Sequence, residues 1–238
     1  MTNRYRVVAA IAMLVAASVT PVCADPLSAE ASDNATVQPG GPRSGSSGKA
    51  FFNVEGSANG SFASYGVAEF NFGVLPLPVL SVNTAQLALT QSNAAFSATG
   101  LIMIAIDQRV PYVDMQPGTS PLAFDGADPG TATDDSQGDL TLLSLGGGPF
   151  SYVLGTTGDV DNHNFTLAAA TEAELVSRLN SASPIRIVIG SGEAGVAATW
   201  AGATNSTYAG PTLNLDVIYD TGTPTKTGTW GRIKSAYR

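Results

Sequence analysis

This 238-residue chain predicts an all-β fold, a jelly-roll-like antiparallel β-sandwich with one short helix near residues 171–180. Three observations carry the prediction. Short stretches of strand length follow one another from Ala50 to Asp220, bounded by Gly, Pro, Asn and Asp. Only one segment has the spacing of a helix. The composition, 44% hydrophobic and 13% charged, belongs to a chain that folds around a sizeable core.

The first 24 residues have the layout of an export signal. Arg4 and Arg6 precede an apolar run from Val7 to Val19, and Pro21 leads into Val22-Cys23-Ala24 before Asp25. The run is shorter than the roughly 20 apolar residues of a spanning helix, so cleavage after Ala24 is expected, with no transmembrane anchor in the mature chain. Cys23, the only cysteine, leaves with the signal, so disulfides and cysteine-containing metal sites are not expected. Thr20-Pro21-Val22 lacks the approach of a lipoprotein signal.

Residues 25–49, rich in Ser, Gly, Pro and Ala and nearly free of large apolar side chains, read as a flexible leader. The domain proper is then expected over 50–220. "TAQLALTQ" sets Ala85, Leu87 and Leu89 on one face. "PTLNLDVIYD" sets Leu213, Leu215, Val217 and Tyr219 against Asn214, Asp216 and Ile218. "GLIMIAIDQ" and "PIRIVIGSG" are apolar throughout, as strands covered on both faces are. "AFFNVEG", "YGVAEFNFG", "LTLLSLG", "FSYVLG", "HNFTLA" and "GVAATWAG" complete ten strands. "TEAELVSRLN" predicts the helix, with Thr171 and Glu174 as a capping box and Ala173, Val176 and Leu179 near one face. "SLGGGPF" lacks the Lys-Ser/Thr of a phosphate loop and reads as a tight turn.

Residues 221–238 form a polar linker and a basic, aromatic tail. Trp230, Ile233 and Tyr237 recur at helical spacing, with Arg232, Lys234 and Arg238 beside them. The tail reads either as a solvated end or strap, or as a recognition tail: a sorting signal met by export or surface-attachment machinery, or a dock for an acidic partner.

The order of "SYGVAEFNFG", "NTAQLALTQ", a helix, "IRIVI", "AATWAG" and "PTLNLDVIY" resembles secreted jelly-roll modules of the DNRLRE type, relatives of carbohydrate-binding modules. Tyr65, Gly66, Glu69 and Phe70, then Ala85, Leu87 and Leu89, then Pro211 carry the resemblance, while the Arg-rich signature of that family is absent. The resemblance implies a non-catalytic extracellular β-sandwich.

Residues 50–220 hold three basic against sixteen acidic side chains, a surface that repels phosphate backbones and excludes nucleic acid as a partner. His163 is the only histidine, so any His-dependent catalysis must run through it; in "GDVDNHNF" it reads as an exposed loop residue. Asp159 and Asp161, and in a second loop Asp134, Asp135 and Asp139, are candidate calcium ligands, with solvated acidic turns as the other reading. A glycosidase needs two carboxylates across a cleft, and nothing in the sequence pairs Glu55, Glu69 and Glu193. For sugar binding, Tyr208, Tyr112 and Asn205 are the candidates, whereas Trp200 reads as core. The expected function is an exported, non-catalytic surface or extracellular-matrix module that binds polysaccharide. The alternative is a secreted hydrolase of glycan or ester bonds.

Overall fold

A computed structural model describes residues 24–38, 41–42, 47–108 and 142–221. The chain opens with β1 (Asp25–Gln38), β2 (Gly41–Pro42), the single turn α1 (Ser47–Ala50), β3 (Phe51–Glu55), a 3-10 turn (Ser57–Phe62) and β4 (Tyr65–Phe70). The long β5 (Val79–Thr90), β6 (Gly100–Asp107), β7 (Leu142–Ser144), β8 (Phe150–Tyr152) and β9 (Val160–Asn164) follow. Helix α2 (Ala169–Asn180) precedes β10 (Ile185–Ser191), β11 (Ala197–Ala201) and β12 (Thr212–Tyr219).

All the strand pairings are antiparallel, in the order β7-β6-β10-β4-β1-β12-β5-β9, with β2 on β1, β8 on β6, and β3 paired with β11 separately. Neighbours are mostly distant in sequence, so the chain wraps across itself in jelly-roll fashion rather than running as a meander. β1 joins the two halves. Its first six residues pair with β12, Asp25 opposite Val217, and from Ala31 onward it pairs with β4, the register shifting between Ala31 and Asp33. The halves enclose one core, with Leu87, Leu89, Leu213 and Val217 from one and Phe70, Ile102, Ile106, Ile187 and Ile189 from the other.

The expectation that residues 25–49 form a flexible leader is therefore corrected. Residues 25–38 are an interior strand, so the sandwich includes them rather than starting at Ala50. The strand escapes a hydrophobicity reading because its side chains are small and its two most deeply buried polar residues, Asn34 and Thr36, are partnered. The fully buried Asn34 accepts the Ala203 amide at 2.7 Å, and Thr36 Oγ1 accepts the Asn53 amide at 2.9 Å. A buried polar group so satisfied carries little penalty.

The alternation of β5 and β12 is as the sequence predicts: Ala85, Leu87, Leu89, Leu213, Leu215 and Val217 are buried. All seven residues of β10 are buried, the mark of a strand covered on both faces. Its second face carries Val188 among Ala35, Val37, Tyr65 and Val67, with Arg186 beside Glu69 at 3.1 Å and Asp107 at 3.7 Å. On the outer face of the other half, one row of side chains is linked across four strands. Ser28 Oγ donates to Asn214, Asn214 Nδ2 to Gln86, and Gln86 Nε2 to Asn164.

Helix α2 starts two residues earlier than expected, and the capping box does not form. Ala168 is the N-cap, Thr171 Oγ1 donates to the Ser144 carbonyl at 2.8 Å, and Glu174 pairs with Arg178 one turn on. Its buried apolar side chains are Leu175 and the expected Leu179, with Val176 partly buried against the core and Ala173 exposed. The Asn180 side chain fastens its end to β5 by accepting the Val79 amide and donating to the Val79 carbonyl. "SLGGGPF" is a turn, as expected. Gly146 sits at φ 75°, where a Cβ would lie 2.1 Å from the Thr166 carbonyl oxygen.

Candidate functional site

The two-stranded sheet β3–β11 covers one side of the core, and its pleat sorts its residues. Phe52 and Val54 from β3, with Ala198 and Trp200 from β11, point inward and are fully buried. Phe51, Asn53 and Thr199 fall on the other face, with Asn53 and Thr199 directly opposite each other in the register. The segment after β5 then lies along β11. Gln91 bridges to Trp200, Ala98 bridges to Ala197, and the Ser92 amide donates to the Thr199 carbonyl at 3.0 Å. Between the bridges a turn closes with the Ser97 amide on the Ala94 carbonyl and raises Phe96 to the surface.

The result is a groove of about 360 Å³ lined by Phe51, Asn53, Ser92, Asn93, Ala94, Phe96 and Thr199. Its two phenyl rings are exposed, Phe51 at 39% and Phe96 at 50%, while Asn53, Ser92 and Thr199 are exposed by only 2%, 8% and 4%. Among the described residues, no lining side chain is ionisable. Thr199 Oγ1 is shielded from solvent and has no hydrogen-bond partner. Asn53 donates its Nδ2 to Glu55 at 3.1 Å, so its oxygen is the acceptor that side chain has left.

A hydrogen-bonded frame holds the groove from behind. Trp200 donates its indole Nε1 to Asp161 Oδ2 at 2.9 Å, and Gln91 Nε2 donates to Asp161 Oδ1 at 2.8 Å. Gln91 also donates to the Val153 carbonyl and accepts the Gly155 amide. Asn93, at the groove wall, accepts the Tyr152 hydroxyl at 3.0 Å and donates to the Gly155 carbonyl at 2.7 Å. The Trp200 ring meets Tyr152 edge-on and Phe52 at a tilt, each with centroids 5.4 Å apart. Burial pushes the Tyr152 phenol above its ordinary pKa, and the charge of Asp161 adds to this.

Of the residues expected to bind sugar, Asn205 and Tyr208 are described, and neither lines the groove. Asn205 spends its amide within its own loop, accepting the amides of Thr207 and Tyr208 at 2.9 Å and donating to the Ala50 carbonyl. Tyr208 is partly exposed and lies over Gly158, whose Cβ would come within 3.2 Å of its ring. Tyr112, Asp134, Asp135 and Asp139 lie outside the described residues, as do Trp230, Arg232, Lys234, Tyr237 and Arg238. Asp159 accepts the Thr156 amide at 2.7 Å in its turn, and both oxygens of Asp161 are taken by Gln91 and Trp200. Among the described residues no three His, Cys, Asp or Glu side chains come together to hold a metal.

His163 is corrected from an exposed loop residue to a buried one. It stands on β9 opposite Leu87, 5% exposed, with its ring edge-on to Phe150 at 5.4 Å and Nε2 unpartnered. The strand begins at Val160, three residues earlier than expected, which places Asp161, His163 and Phe165 on the inward side. Trp200 is core, as its alternation predicts.

The sequence reading passed over Phe51 and Phe96. Phe51 was legible as a candidate, because adjacent phenylalanines in "FFNVE" point to opposite faces of a strand. Phe96 sits in a turn, where no periodicity marks it. No protein-family model matches this chain, and no curated protein matches it.

Proposed function

We propose that this chain is an exported, non-catalytic β-sandwich module of the cell surface or matrix that binds polysaccharide through the Phe51–Phe96 groove. One observation carries the reading. Two exposed phenyl rings flank a floor of amide and hydroxyl groups in which Thr199 Oγ1 is buried without a partner. Aromatic faces take the apolar faces of sugar rings, and a buried hydroxyl with no partner is stabilised by a ligand that supplies one. Binding sites are commonly apolar concavities with a few convergent polar groups, and this groove is at the small end of their range.

The export-signal layout of the first 24 residues and the resemblance to DNRLRE-type modules support the same reading. The hydrolase alternative gains nothing from the groove. Glu69 is paired with Arg186, Glu55 accepts from Asn53, and neither these nor Glu193 line it.

The test is a glycan microarray with the wild-type domain and with Phe51→Ala and Phe96→Ala, neither of which removes a buried side chain. Loss of binding with an unchanged melting temperature supports the proposal. Turnover of any bound glycan transfers it to the hydrolase reading, and binding indifferent to both substitutions removes the groove. N-terminal sequencing of secreted protein, expected to begin at Asp25, tests the export step.

A further inference from the structure

The groove's own chemistry narrows what enters it, on the premise that it binds sugar at all. Among the described residues, its lining holds no cation to receive a uronate, sulfate or phosphate, and no carboxylate to receive an ammonium. Bringing either charge in strips its water without a partner, a penalty of several kcal/mol per ion. An acidic domain surface further repels anions. The ligand is therefore neutral.

Neutral sugars differ in what they project from the ring. The groove joins two demands at one place. Its walls, Phe51, Phe96 and Ala94, are apolar, and its floor offers the Thr199 hydroxyl and the Asn53 carbonyl oxygen. A plain hydroxyl or hydroxymethyl group meets the floor but brings little apolar surface to the walls. An acetamido group meets both, with its methyl against phenyl and Ala94, its carbonyl accepting from Thr199 Oγ1, and its N–H donating to Asn53 Oδ1. Thr199 is the decisive residue, since a floor hydroxyl buried to 4% exposure and left without a partner discriminates against any ligand that fails to reach it.

We propose that the groove is specific for N-acetylated hexosamine units of a neutral glycan. The probes are N,N′-diacetylchitobiose, its deacetylated form, and cellobiose, titrated by calorimetry into the full chain. The acetylated disaccharide is expected to bind at least about tenfold more tightly than cellobiose, equivalent to about 1.4 kcal/mol. The deacetylated form is expected to bind no better than cellobiose. Thr199→Val, close in shape, should abolish the preference by bringing the acetylated disaccharide down to the affinity of cellobiose, and Thr199→Ser, which keeps the hydroxyl, should retain it.

Equal affinity for acetylated disaccharide and cellobiose overturns the specificity, as does a preference that survives Thr199→Val. Either result leaves polysaccharide binding standing if Phe96→Ala still abolishes it. If the wild type binds no neutral sugar at all, the specificity and the reading beneath it fall together.

Discussion

The indole of Trp200 donates to Asp161 Oδ2 at 2.9 Å from within the core, so the largest buried side chain of the domain is oriented by a carboxylate on an edge strand. The other oxygen of Asp161 takes Gln91. Trp200→Phe leaves that carboxylate short of one donor and opens a small cavity. The expected cost is about 2–4 kcal/mol. Asp161→Asn, which turns an NH2 toward one of the two donors, should cost a similar amount, and the double variant less than the sum. Urea denaturation of the three variants checks this; strict additivity would show that the pair does not act as a unit.

His163 makes stability depend on pH. Burial beside Phe150 lowers its pKa below the ordinary 6.5, and the nearby charge of Asp161 only partly opposes this. Between the lowered value and 6.5 the unfolded chain binds more protons than the folded one. Stability is therefore full above pH 6.5, falls as pH drops through that window, and levels off below it. The contribution of this one group has a slope of at most about 1.4 kcal/mol per pH unit. Denaturation curves at pH 5, 6, 7 and 8 should show a shallower slope for His163→Phe than for the wild type; identical slopes would mean the imidazole keeps its ordinary pKa.

A chain beginning at Ala50 should not fold. It lacks β1, and with it one of the two backbone partners of each of β12 and β4. Circular dichroism and proteolysis of such a truncation are expected to show an unfolded or aggregated protein. A chain beginning at Asp25 should be fully cooperative. Native stability in the shorter chain would return residues 25–38 to the status of a leader.

Gly66 lies on β4 beneath Phe52, where an added Cβ would come 2.5 Å from the ring. Both positions are buried. Gly66→Ala should overpack the core by about 1–3 kcal/mol. Combining it with Phe52→Leu, which withdraws the ring, should recover part of the loss. Thermal melts decide it, since a neutral Gly66→Ala means the ring moves aside freely.

How much of this was legible depends on side-chain size. Ala85, Leu87, Leu89 and the isoleucines of β6 and β10 declare their strands by period and bulk, and the structure has them buried. β1 offers Ala, Ser, Asp, Asn and Thr instead, residues that also compose linkers. What makes it a strand is the long-range pairing of Asp25 with Val217 and the capture of Asn34 and Thr36 by the loop after β11 and by β3. His163 was misplaced by three residues of strand boundary, which is enough to turn a loop side chain inward. Of the groove, the alternation in "FFNVE" marked one wall, but the facing of Asn53 and Thr199 across two strands 146 positions apart has no local signature.

The placement of β12 between β1 and β5 governs the order in which the molecule can be made. β1 pairs with β12, the last of the described strands, so the sandwich cannot close before residues 212–219 are made. Such a high contact order places folding in the millisecond-to-second range rather than the microsecond range. Until residues 212–219 arrive, the growing chain has two open strand edges, on β1 and β5, and each can accept a strand from another copy. Crowding of incompletely synthesised copies is therefore the condition under which this protein is expected to aggregate.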